Sequence, residues 1–189
     1  MEAKLYLAGP EVFLPDAQYH ADIQRDLCRK YGFYPLHPMD NNLDLGNSDM
    51  ETAMQIYLGD IQQIQACDIV VANCNGFRGV CMDDGTAYEL GFANALRKPS
   101  YGYIREKIPL VKRTVRDTLC FEHTSGNILD SEGYKVTDDF GTSINLMMQC
   151  GMMHLGGRLI EGDFEACLRE IRKDLDSKTL ELHSQSERG

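Results

Sequence analysis

Asp68-Ile69-Val70-Val71-Ala72-Asn73 is an apolar run. A Gly-containing loop follows, and then Asp83-Asp84-Gly85-Thr86-Ala87-Tyr88-Glu89-Leu90-Gly91-Phe92-Ala93. This order reads as strand, loop and helix, with a lone glutamate in the first turns of a helix that otherwise looks buried. A carboxylate placed there has two expected supports. The positive end of the helix dipole keeps it ionised, and small neighbours leave it approachable. An ionised carboxylate held in a cleft can serve as a nucleophile.

Working outward, Lys4-Leu5-Tyr6-Leu7-Ala8 reads as a first buried strand ending in Gly9-Pro10. Pro15 and Asp16 open a helix in which Tyr19, Ile23, Leu27 and Tyr31 recur every four residues, with Gly32 as its stop. Phe33-Tyr34-Pro35-Leu36 is a short strand, followed by a polar loop from His37 to about Asn47. Ser48 or Asp49 caps a second helix running to about Ala66, whose expected apolar face is Met54, Tyr57, Leu58, Ile61 and Ile64. Asp68 to Asn73 is the third strand, Gly85 to Leu96 a helix, and Pro99 to Ile104 a fourth strand. Ile144 to Cys150 is short and Met-rich with Gly151 as a stop. Leu159-Ile160 reads as a last strand, and Phe164, Cys167, Leu168, Ile171 and Leu175 form one stripe of a final helix.

The alternation predicts an α/β fold: a doubly wound, flavodoxin-like or Rossmann-like, mostly parallel five-stranded sheet with helices on both faces. Ligands in such sheets bind beyond the carboxyl ends of the strands, where Gly9-Pro10, Asn73 to Asp84 and Glu89 belong. A single domain is expected over 1–176, with a polar tail over 177–189 that frays. Within the domain, 105–140 reads as a long irregular insertion carrying Arg105, Lys107, Lys112, Arg113 and Arg116. That basic cluster suits a phosphate, an acidic neighbour or simply a solvated face.

Composition narrows the partners. A formal charge of −10 over 189 residues argues against a nucleic-acid polymer, which needs a concentrated positive surface. Small nucleosides or sugars remain open. No membrane-length apolar run and no signal-peptide pattern at Met1-Glu2-Ala3-Lys4 is seen, so a cytoplasmic location is expected. The seven cysteines are dispersed, without a close Cys-x-x-Cys or Cys/His cluster, and read as reduced thiols and not as metal ligands. No phosphate-loop or dinucleotide glycine motif is present, and no cofactor is expected.

Three carboxylates converge on the expected ligand edge: Glu89, Asp83 and Asp60. Asp83 and Asp84 also suit the N-cap of the following helix. Asp60 shares a helix stripe with Ile56 and Ile64, and a charge there needs a reason: a loop contact, a pairing with Arg78, or chemistry. Tyr6 on the first strand reads either as a core residue or, standing just before Gly9-Pro10, as a phenol that reaches and orients Glu89. Two carboxylates suit glycosyl transfer, one attacking the anomeric carbon and the other managing the leaving group's proton.

Taken in order, Leu5-Tyr6-Leu7-Ala8-Gly9-Pro10, Pro35-Leu36-His37-Pro38-Met39-Asp40-Asn41, Asp60 to Asp68, Phe77-Arg78-Gly79, Asp83-x-Gly85-Thr86-Ala87-Tyr88-Glu89-Leu90-Gly91 and Ile144-Asn145-Leu146-Met147 resemble the nucleoside 2-deoxyribosyltransferases. The resemblance implies that Glu89 forms a covalent deoxyribosyl ester, that Tyr6 orients it, and that Asp83 holds sugar hydroxyls or assists proton transfer. It implies that Asp60 lies near the base as a candidate acid. It also nominates Gly9, Pro10, Phe77, Arg78, Gly85, Asn145 and Met147 for substrate binding. Asn145 and Met147 match residues that reach into a neighbouring subunit's site, so a homo-oligomer (dimer, tetramer or hexamer) is implied. The long insertion and Phe77-Arg78-Gly79 depart from the compact bacterial form. The expected activity is base exchange between 2′-deoxyribonucleosides and free nucleobases. The alternative is hydrolysis of deoxynucleosides or their 5′-monophosphates on the same fold, with Arg78 or the insertion as a phosphate clamp.

Overall fold

In the computed structural model the backbone is described for residues 2–41, 49–136 and 139–186, and the side chains among these up to residue 177. Five parallel strands form the central sheet: β1 (Ala3–Ala8), β2 (Phe33–Leu36), β3 (Ile69–Asn73), β4 (Ser100–Ile104) and β7 (Leu159–Glu161), in the spatial order β2-β1-β3-β4-β7. A separate two-stranded hairpin pairs β5 (Cys120–Glu122) with β6 (Ile128–Asp130). The helices are α1 (Ala17–Lys30), α2 (Met50–Ala66), α3 (Asp84–Ala95), α4 (Leu110–Asp117), α5 (Leu146–His154) and α6 (Phe164–Ser186). Strand order reverses at β1, so the carboxyl ends of β1 and β3 flank the crevice where such sheets take ligands.

Strand alternation splits the core. Leu5, Leu7, Ile69 and Val71 face one side with Cys28 of α1 and Cys167, Leu168 and Ile171 of α6. Tyr6, Ala8, Val70 and Ala72 face the other with Ile64 of α2, Leu90 and Ala93 of α3, and Met152 of α5. Leu5 to Ala8 pair in register with Ile69 to Ala72. A one-residue slip would move Tyr6 to the face away from α3.

Several helix expectations need correcting. Tyr19 and Ile23 are exposed, while Ala21 and Cys28 are the buried residues of α1. A strict four-residue repeat drifts about 40° per step against a 3.6-residue turn and leaves the packed face. On α2 the periodicity is present, but Met54, Tyr57 and Leu58 are exposed and only Ile64 is fully buried. Hydrophobic spacing reports a face that seeks cover, not what covers it. Helix α5 runs past Gly151 to His154, because Asn94 Nδ2 bonds the Gly151 carbonyl at 2.8 Å and holds the turn.

The stretch expected to be irregular holds α4 and the β5–β6 hairpin. Two of its cations serve local ends: Arg116 pairs with Glu106 and Asp117, and Arg113 is buried. Helix α6 continues to Ser186, through residues expected to fray. Ser48, the alternative cap of α2, and the loop residues 42–47 lie outside the described residues; Asp49 caps α2 through Thr52 N at 2.8 Å.

Candidate active site

Beyond the carboxyl ends of β1 and β3 lies a cleft of about 570 Å³, lined by Gly9, Val12, Phe13, Pro38, Met39, Asn41, Ile56, Asp60, Asp83, Gly85, Thr86 and Glu89. That size suits a small organic ligand. A smaller recess between α2 and α3 shares Ile56, Asp60, Gly85 and Glu89 with it, and adds Tyr57 and Tyr88.

Tyr6 is wholly buried on β1 and its hydroxyl donates a short hydrogen bond to Glu89 Oε1. Burial, then the Glu89 and Asp60 charges, push the phenol far above its ordinary range, so it stays a neutral donor. Glu89 sits one and a half turns into α3, beside the buried stripe Thr86, Leu90 and Ala93. The helix-terminus effect fades within the first turn. Contrary to expectation, burial dominates and raises Glu89 to about 8, with Asp60 and Asp83 adding to the rise and the Tyr6 bond opposing it.

Asp83 caps α3, its Oδ2 accepting from Thr86 N at 2.8 Å and Thr86 Oγ1 at 2.9 Å. The capping reading of Asp83 holds, and the same buried carboxylate lines the cleft. Asp60 is raised by burial to about 6, opposed by a 3.0 Å bond from Asn41 Nδ2. No pairing with Arg78 forms; Asn41 is the partner. Asn41 in turn accepts from Gln63 Nε2 at 2.9 Å. Gly59 makes room for it, because a Cβ there would lie 2.6 Å from the Asn41 amide. The turn that carries Pro38 and Met39 is held by His37, whose buried ring accepts from Met39 N at 3.1 Å. Burial and then Arg25 lower His37 to about 4, so it is neutral.

Gly9 enters the cleft wall directly. A Cβ there would fall 2.1 Å from Glu11 Oε2, and that carboxylate is pinned by Asn73 Nδ2 at 2.8 Å and Tyr103 OH at 2.7 Å. Pro10 starts the short 3-10 turn Pro10–Phe13, and its neighbours Val12 and Phe13 are the lining residues. Phe77 and Arg78 stand one layer back. Phe77 stacks on Phe13 with ring centres 5.5 Å apart, and the Arg78 guanidinium lies 4.7 Å from the Phe77 ring centre. Neither reaches the cleft surface. Asn145 and Met147 also lie outside this chain's cleft: Asn145 caps α5, and Met147 is 73% exposed beside the α3–α5 groove. Asn41, Gly59 and Phe13 were not singled out from the sequence. A glycine inside a helical run beside Asp60 was the available signal for the first two.

A family model described as nucleoside 2-deoxyribosyltransferase matches residues 5–147. The chain belongs to the nucleoside 2-deoxyribosyltransferase family. Among solved structures, this family member is similar to a 2-deoxyribosyltransferase from Leishmania mexicana, with 28% identity, 90% of this chain and 97% of that one covered, and a TM-score of 0.67. It shares its fold with a conserved protein from Enterococcus faecalis at 21% identity and TM-score 0.59, over 92% and 99% of the two chains. An uncharacterised protein of Schizosaccharomyces pombe is 30% identical over 196 residues, covering 95% of this chain and 91% of that one. Among the described residues of this deoxyribosyltransferase-family chain, no helix is long and apolar enough to cross a membrane. No group of three or more His, Cys, Asp or Glu is arranged there to hold a metal ion.

Proposed function

We propose that this enzyme exchanges the nucleobase of 2′-deoxyribonucleosides by two displacements at the anomeric carbon. The observation that carries the reading is the Tyr6 hydroxyl seated on Glu89, with Asp60 and Asp83 on the same cleft wall. A Glu89 carboxylate oxygen attacks the anomeric carbon as the bond to the base breaks. The bonding pair leaves with the base nitrogen, which takes a proton from Asp60. An incoming base then attacks the same carbon, displaces Glu89 and returns its N–H proton to the Asp60 carboxylate. Two displacements retain configuration.

Asp60, raised to about 6, is the better acid, while Asp83 has one oxygen spent on its cap and suits a sugar hydroxyl. Between about pH 6 and 8 the Asp60–Glu89 pair holds one proton, mostly on Glu89, and the first step needs that proton moved to Asp60 so that Glu89 is ionised. Among the described lining residues no Lys or Arg appears, which favours an uncharged nucleoside over a 5′-monophosphate. A 2′-hydroxyl would crowd the space near Glu89 and Tyr6, so a deoxy sugar is favoured.

A homo-oligomer with shared sites is part of the same reading. Its supports are the exposed apolar face of Met50, Met54, Tyr57, Leu58 and Tyr88, and the placement of Asn145 and Met147 outside their own cleft. The deciding assay supplies 2′-deoxyinosine with and without adenine. Deoxyadenosine formed only with adenine supports transfer. Hypoxanthine and free deoxyribose at equal rates in both samples would make the enzyme a hydrolase.

A further inference from the structure

None of the described residues of the 105–140 insertion lines the cleft of its own chain. Its helix α4 nevertheless buries an arginine. Arg113 is 7% exposed, its Nη2 donates to the Ser143 carbonyl at 2.7 Å, and its Nε has no hydrogen-bond partner. Burial works against this cation, with Asp117 and Glu106 offsetting part of the cost, and the hydrogen bond it makes goes to a main-chain oxygen, which that bond holds in place. Helix α4 makes a second bond to the same segment: Leu110 N donates to Thr142 O at 2.7 Å. From the other side, Gln149 Oε1 accepts from Ser143 N at 2.8 Å, and Ile144 is buried in the core. Consecutive residues 142–144 are thus fixed by two helices, and the next residue is Asn145.

We infer that Arg113 and helix α4 form a brace that positions Asn145 and Met147 for the neighbouring subunit's site, making Arg113 a positioning residue that acts across the interface. The inference rests on the shared-site reading above. It separates two roles within one chain: the cleft carries out chemistry, and the braced segment serves the partner. A loss at Arg113 therefore falls on the neighbour's turnover while leaving Glu89 of the same chain intact.

The test uses full-length chains and base exchange between 2′-deoxyinosine and adenine. Arg113→Met is expected to lower turnover about 10–100-fold, the scale of a misplacement of about 1 Å in a catalytic assembly. Gln149→Leu removes the other tether of Ser143 and serves if Arg113→Met fails to fold. Each variant is mixed with Glu89→Ala chains during assembly. In paired subunits half the pairs are hybrids with one intact site, so recovery to about a quarter of the parent's turnover is expected. Asn145→Ala mixed with Glu89→Ala is run beside it. If that control recovers and the Arg113 and Gln149 mixtures do not, the brace is refuted and shared sites stand. If the control does not recover, sites are not shared and the brace falls with them. Parent-level turnover by folded Arg113→Met also overturns it.

Discussion

Replacing Glu89 with glutamine should make the protein more stable while abolishing base exchange. The folded state raises this carboxyl from an ordinary value near 4.5 to about 8, burial being the largest cause. Such a group is stabilising below its unfolded value and loses that contribution as pH rises toward the folded one, because the unfolded chain ionises first. At about 1.4 kcal/mol per pH unit the gap corresponds to about 5 kcal/mol. Glu89 is not wholly shielded from water, and screening lowers the expected gain to about 3 kcal/mol. The glutamine amide keeps an oxygen for the Tyr6 hydroxyl, so the substitution removes the charge and little else. For a chain of this size about 3 kcal/mol raises the unfolding midpoint by about 6–12 °C. Thermal and urea unfolding should be followed for both proteins from about pH 5 to 9. The difference should be small near pH 5, grow through neutrality and level off above about pH 8. A difference independent of pH, or a Glu89→Gln protein no more stable than its parent at pH 8.5, would refute the argument that burial dominates this group.

Further outcomes follow from the same geometry. Turnover plotted against pH should be bell-shaped with limbs near about 6 and 8, where Asp60 and Glu89 titrate; a flat profile over about pH 5–9 would remove the shared-proton step. Asp60→Asn should slow exchange about 10²–10⁴-fold for bases that need protonation. It should also lower the Glu89 titration, since the Asp60 charge helps to raise it; unchanged rates would exclude Asp60 as the acid. Gly59→Ala should push Asn41 off Asp60 and reduce turnover with the fold retained. A fully active Gly59→Ala enzyme would show that the Asn41 contact is dispensable.

The sheet was legible because β1, β3 and β4 are short apolar runs with turn residues at their ends; Tyr6 lies on one of them, and Glu89 lies on the helix that follows another. The pairing of Tyr6 with Glu89 depended only on strand parity and a helix start. The insertion was harder. Ser125-Gly126-Asn127 between Phe121 and Ile128-Leu129 was the signal for the β5–β6 hairpin, and its apolar runs are only two or three residues long. The Gln63–Asn41–Asp60 chain joins residues about twenty positions apart, and no local period encodes such a bond. The faces of α1 and α2 failed for different reasons: a four-residue repeat walks around α1, and the apolar side of α2 is left open in a single chain.

The cap on α3 gives the site a mechanical link that its chemistry does not require. Asp83 offers one oxygen to Thr86 and lines the cleft with the same carboxylate, so ligand and helix draw on a single group. A sugar hydroxyl that engages Asp83 holds it still, and the first turn beneath Glu89 is held still with it. Occupancy of the cleft should then be readable from the backbone as slower amide exchange at Thr86, whose N–H bonds the Asp83 carboxylate. Under this linkage the helix is wound tightest when the carboxylate it carries is about to react.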